Sequence, residues 1–156
     1  MPRRYWVNLT PTAVSAYTTD LLELIAADDK PIKIISVRLF QTSDFGDAQA
    51  EGLSVKWVRG NTTGGSGGVT VTPTPTRATD AAASFTAKAF NTTAASVGTP
   101  VVGPRHNFNV QLGITEVYSP EECIETSGNN YLVLRFEGSP ADSLTVSGSV
   151  CVEEQG

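Results

Sequence analysis

Apolar and polar residues alternate along this chain with a period of two, and turn residues break the pattern at intervals. No other feature constrains the fold as strongly. In "GLSVKWVR", Leu53, Val55 and Trp57 fall on one side of an extended backbone, with Ser54 and Lys56 on the other. Successive side chains of a strand point to opposite faces, so such a segment has one face for a core and one for water. In "IKIISVRLF", Ile35, Val37 and Leu39 oppose Ser36 and Arg38, and "ASFTAKAF" sets Phe85, Ala87 and Ala89 against Ser84, Thr86 and Lys88. "NFNVQLGI" puts Phe108, Val110, Leu112 and Ile114 together, and "YLVLRF" does the same with Leu132, Leu134 and Phe136. "SLTVSGSVCVE" places Leu144, Val146, Val150 and Val152 inside and Thr145, Ser147, Ser149 and Cys151 outside. "RRYWVNL", "DLLELIAA" (Leu22, Leu24 and Ala26 on one face) and "VTVTP" extend the series.

About eight strands, each with one polar face, predict an all-β, antiparallel, two-sheet sandwich with long Gly/Ser/Thr loops, because a parallel sheet buries both faces. An immunoglobulin-like arrangement is disfavoured, since Trp57 precedes both Cys123 and Cys151; a jelly-roll-like sandwich is the expectation. Residues 1–156 read as one domain, with a possible N-terminal arm over about 1–19 and an extended loop over about 59–80. The helical rival, Thr12 to Asp29, lacks caps and carries the β-branched pair Thr18-Thr19. Only 17% of the residues are charged, where about 25% is usual.

A net charge of −5 argues against nucleic acid, whose phosphates call for a Lys/Arg stripe. No apolar run is long enough to span a membrane. The opening "MPRRYWVNLTPTAVSA" is broken by Asn8, Thr10 and Pro11, so it does not read as a secretory leader. The sequons at Asn8, Asn61 and Asn91 then have no glycosylation to direct. Cys123 and Cys151 are either one bridge or two reduced thiols.

Catalytic signatures are missing. His106 is the single histidine, and no nucleophile elbow, P-loop, H-E-x-x-H or C-x-x-C occurs. Asp44, Asp47 and Glu51 are acidic enough for Ca²⁺ but lack the D-x-D-x-D-G spacing, so a solvated loop is expected. Glu121, Glu122 and Glu125 are expected to be a charged loop as well. "GGSGG", Gly64 to Gly68, precedes a strand where a phosphate loop would precede a helix, so it is expected as a flexible hairpin tip. In "TPTPTR", Thr72 to Arg77, proline fixes an extended backbone. That segment either lies along a neighbouring subunit or crosses over the protein's own surface.

The run "QTSDFGDAQAEGLSVKWVRGNTTGGSGGVTVTPTPT…DAAASFTAKAFNTTAASVGT", with the closing "SLTVSGSVCVEE", resembles small β-rich proteins encoded among the virion genes of tailed bacteriophages. The resemblance is closest to head-decoration, or cement, proteins. It implies a non-enzymatic structural component on the capsid surface of a virion assembled in the host cytoplasm. It also implies a homotrimer that contacts the major capsid protein or other virion proteins, with no cofactor, no metal, no nucleic acid and no membrane. Candidate contact residues are Arg3, Arg4, Tyr5 and Trp6 in the first strand and Val69, Val71, Pro73, Pro75 and Arg77 in the stiff segment, acting by strand addition or as aromatic anchors. Trp57 is a third candidate anchor, although its alternation with Leu53 and Val55 points to the core. The alternative is a tail or fibre accessory protein that binds a host-surface carbohydrate or protein. A small sandwich enzyme of cupin or glycosidase type comes third, since one histidine is too few for a cupin metal site.

Overall fold

The structure is a computed structural model that describes residues 1–15, 20–43 and 51–156. Within them the chain forms strands and no helix. The first six are β1 (Arg3–Val14), β2 (Asp20–Ile25), β3 (Ile32–Gln41), β4 (Gly52–Thr63), β5 (Val69–Val71) and β6 (Thr74–Pro75). The remaining six are β7 (Thr86–Asn91), β8 (Ser96–Asn109), β9 (Ile114–Val117), β10 (Glu125–Thr126), β11 (Tyr131–Phe136) and β12 (Leu144–Glu154). Eight strands have six or more residues and carry most of the alternating segments, "VTVTP" falling on β5; β5, β6, β9 and β10 are short additions at the sheet edges. No helix among the described residues is long and apolar enough to cross a membrane.

Every strand pairing is antiparallel, and there are two sheets. The first runs β10-β3-β12-β1-β6, with β9 also on β3; the second runs β5-β7-β2-β11-β4-β8. Tyr5, Val7, Val37, Leu39, Val150 and Val152 of the first sheet join Leu22, Leu24, Val55, Trp57, Leu132 and Leu134 of the second in one buried cluster. Burying each such side chain contributes about 1.5–3 kcal/mol, which sets the register wherever the alternation is clean. The Arg3–Val14 stretch lies between β12 and β6, paired with β12 along most of its length.

Strands take the place of the disfavoured Thr12–Asp29 helix, since β1 runs to Val14 and β2 begins at Asp20. Three local expectations need correction. Ile35 is only half-buried: the β3–β12 register slips between Cys151 and Val152, so Ile32 and Ile34 point inward before the slip and Val37 and Leu39 after it. One inserted residue moves every later side chain to the other face. Leu112 is 81% exposed, since its amide donates to Asn109 O at 3.1 Å in a turn that Gly113 leaves at φ +69. Cys151 faces outward but is buried, because it stands directly across from Trp6, whose indole carries the Arg38 guanidinium at 5.6 Å. Cys123 and Cys151 are both free thiols.

Candidate functional site

The outer face of the second sheet is not bare. A second apolar cluster of Val58, Ala95 and Val133, flanked by Tyr131, sits there. Two Gly/Thr-rich stretches cover it, and two acidic residues of β2 hold them down. Asp20 is fully buried and accepts the Ala95 N–H at 2.7 Å on Oδ2 and Arg135 Nε at 2.7 Å on Oδ1. Arg135 Nη2 also donates to Ala95 O at 3.0 Å, so one ion pair holds both backbone polar groups of Ala95. Glu23 is equally buried, and its Oε2 accepts the Gly65 N–H at 2.6 Å and Asn91 Nδ2 at 3.1 Å. Burial pushes both carboxyls above their ordinary range, while the N–H donors and the nearby cations oppose the shift.

The Gly64–Gly68 segment is therefore not the flexible tip its composition suggests. Ser66 and Thr93 exchange backbone hydrogen bonds at 3.0 and 3.1 Å. A Cβ on Gly65 would stand 2.5 Å from both Asn91 Nδ2 and Thr93 O, and one on Gly68 would collide with Asn91 Oδ1. These glycines allow close approach of backbone to a buried side chain. Asn61 and Asn91, two of the sequon residues, are buried parts of the same sheet.

The lone histidine belongs to a polar chain that reaches the core. Trp57 Nε1 donates to Tyr118 Oη at 2.8 Å, and Tyr118 Oη lies 2.6 Å from His106 Nε2. Indole is a donor only, so the phenol accepts from Trp57 and keeps its own proton to offer to His106 Nε2. A phenol that donates there meets a neutral imidazole with its hydrogen on Nδ1, and burial favours the neutral ring by lowering the His106 pKa. Nitrogen NMR at neutral pH is expected to show Nε2 as the unprotonated ring nitrogen; a protonated Nε2 would contradict the chain. The chain of three side chains ties β4 and β8 to the β9–β10 connection.

Glu137 shows the opposite electrostatics. Its carboxylate takes Arg105 Nε at 2.8 Å and Ser54 Oγ at 2.7 Å, with Lys56 Nζ at 3.5 Å. Those contacts, the Arg105 hydrogen bond first, pull its pKa to about 2. The resulting stability is present above the ordinary value of 4.5 and is lost as pH falls toward about 2. The stability difference between the parent and Glu137→Gln should shrink over that window in acid titrations followed by circular dichroism. A difference that stays constant through the window would show the contacts to be inert.

The candidate contact residues lie at one side of the molecule, where β6 pairs with β1 through Tyr5–Pro75 and Trp6–Thr74. Tyr5 belongs to the core: it is fully buried, packs edge-on against Phe85 at 5.6 Å and donates to Ala81 O at 3.1 Å. Trp6 is half-buried under Arg38. Arg4 is exposed and pairs with Glu153 at 2.8 Å, and Arg3 and Arg77 are exposed. Val69 is exposed on β5, while Val71, Pro73 and Pro75 are half-buried. The "VTVTPTPT" stretch pairs first with β7 of one sheet and then with β1 of the other, crossing the protein's own surface. Trp57 is fully buried in the core.

Sequence reasoning missed the opposite side. From Ser96 to Val102, edge strand β8 is exposed without a break, with Val97 at 66%, Val101 at 48% and Val102 at 43%. Val117 on β9 adds a further exposed apolar side chain on that side. Two adjoining grooves of about 400 and 190 Å³ share Arg59 and Val101 and separate this strand from the Glu122–Ser127 segment. The only hint in the sequence was "SVGTPVV", an uncharged run of β-branched residues. Pro100 and Pro104 remove two N–H groups from the strand, which blunts an edge against indiscriminate pairing while leaving its side chains available.

Among the described residues no group of three His, Cys, Asp or Glu side chains is placed to hold a metal ion. Asp44 and Asp47 lie outside the described residues. Glu51 Oε1 accepts the Ala141 N–H at 2.7 Å, Glu122 accepts Ser119 Oγ at 3.1 Å, and Glu125 faces Lys33 at 3.5 Å. Comparison with protein-family models, with curated proteins and with solved structures gives no match.

Proposed function

We propose that the protein is a non-catalytic structural component of a tailed-phage virion, a jelly-roll-like sandwich that binds the capsid surface as a head-decoration protein. The observation that carries this reading is the open β8 edge, where Val97, Val101 and Val102 stand in solvent beside a groove. Apolar side chains gathered at a surface and rimmed by polar groups mark an interaction face. The partner is the major capsid protein, met by side chains over the blunted edge. The β1–β6 side, with Arg3, Arg4, Trp6 and Arg77, is the second contact, to a neighbouring copy in a trimer.

The carbohydrate-binding alternative asks for rings exposed to stack on sugar. Among the described residues Phe40 is the one exposed aromatic, so the shell reading leads. The experiment is co-sedimentation with empty capsids assembled from the major capsid protein of the same genome, with light scattering of the free protein. Saturable binding and a higher melting temperature of the shell are expected, together with a solution mass of three chains. Protein that stays in the supernatant at every concentration would overturn the reading.

A further inference from the structure

We propose that Glu23 is protonated in the folded protein at neutral pH, its Oε1–H donating to Asn91 Oδ1, so that acid and amide close a ring that latches the Gly64–Gly68 segment. The latch is a device of the fold and does not depend on the capsid reading.

Glu23 Oε1 and Asn91 Oδ1 are both buried and neither has a hydrogen-bond partner. Both are acceptors, and they belong to the two groups already joined by Asn91 Nδ2 donating to Glu23 Oε2 at 3.1 Å. An acceptor buried without a donor is destabilising, and here there are two. One proton on Oε1 satisfies both at once. A protonated carboxyl is a donor as well as an acceptor, and paired with a primary amide it makes two hydrogen bonds in a cyclic arrangement.

Asp20, three residues earlier on the same strand, provides the internal contrast. Each of its oxygens meets a strong donor, Ala95 N–H and Arg135 Nε, both at 2.7 Å, so the ionised form is fully served. Glu23 has two donors on one oxygen and none on the other. The charged groups around it are few. Lys88 of β7 is 3.9 Å from Oε1, beyond hydrogen-bond reach, and its side chain is 44% exposed to water. Asp20 adds negative charge from the same strand, and the Arg135 guanidinium of β11 is committed to Asp20. Burial is the largest influence on the Glu23 carboxyl and raises its pKa; Lys88 and the Gly65 N–H oppose it. A metal ion is the poorer occupant, because a cation, the Lys88 ammonium, already stands 3.9 Å from Oε1.

Ionisation would leave Oε1 and Asn91 Oδ1 both buried without a donor, beneath a segment held by the Gly65 N–H and by the Ser66–Thr93 pair. A group whose pKa is raised on folding contributes stability that is complete below its unfolded pKa and is lost as pH rises through the folded value. The latch is therefore closed in acid and loosens as the solution becomes alkaline.

Two measurements test it. In the full chain, carbon NMR of the glutamate carboxyls, titrated from about pH 4 to about pH 9, should show one resonance still protonated at neutral pH, well above the ordinary value of 4.5. That resonance should be missing from Glu23→Gln. Glutamine reproduces the protonated acid, its Nε2–H taking the place of Oε1–H. Its folding equilibrium constant relative to the parent should rise about tenfold per pH unit between the ordinary and the native Glu23 pKa. A Glu23 midpoint at or below the ordinary value overturns the proposal. So does a glutamine variant that loses stability relative to the parent as pH rises. If the variant fails to fold, the titration of the parent protein decides alone.

Discussion

Trp57→Ala is expected to lower the unfolding free energy by about 3–5 kcal/mol, a large share of the roughly 5–15 kcal/mol that domains of this size possess. Trp57 is fully buried on β4, directly across from Leu134 of β11. Its removal leaves a cavity that surrounding strands, tied into sheets on both sides, relax into only partly. The change also deprives Tyr118 Oη of its donor, leaving His106 as the phenol's remaining partner. Trp57→Phe separates the two effects: it keeps most of the volume and loses the hydrogen bond, at about 1 kcal/mol from that loss alone. Urea titrations should show the midpoint falling with an unchanged slope in both variants. A loss below about 1 kcal/mol for the alanine variant would mean that Trp57 is not at the centre of the core.

Asp20→Ala has the second large effect, expected at about 3 kcal/mol. Breaking a buried ion pair by removing one partner costs about 3–5 kcal/mol, because the other charge and its donors are stranded. The lower end applies here, since the Arg135 side chain is 20% exposed and can recruit water. The stranded groups are the Arg135 guanidinium of β11 and the Ala95 N–H, which belongs to the segment that follows β7. Hydrogen exchange at Ala95 should therefore accelerate by more than global unfolding alone explains. Asp20→Asn keeps an acceptor for the Ala95 amide and should recover part of the loss. Equal loss in the two variants would show that charge, and not the acceptor, holds the segment.

Clean alternation made the inner faces legible. Leu53, Val55 and Trp57 on β4, and Leu144, Val146, Val150 and Val152 on β12, are buried where a period of two puts them. Ile35 is misplaced by the same rule because a bulge is decided by the partner strand, β12, more than a hundred residues away. The outer layer was hidden for another reason. "DLLELI" and "YLVLRF" are nearly continuous apolar runs, which is how strands buried on both faces read, and β2 and β11 are buried on both faces. What covers them, glycine and threonine held by Asp20 and Glu23, has the composition of a free loop. Burial there comes from backbone bonded to acidic side chains, for which no hydrophobic pattern exists. The β8 edge was illegible for the converse reason, since valines in a β-branched run give no sign of whether another strand lies beside them.

The docking face is tested most directly by hydrogen exchange on the protein free and bound to shells. Slowed exchange concentrated in residues 96–102 on binding is the predicted result. Protection confined to Arg3–Trp6 and Val69–Arg77, with β8 unchanged, would contradict the account and move the contact to the opposite edge.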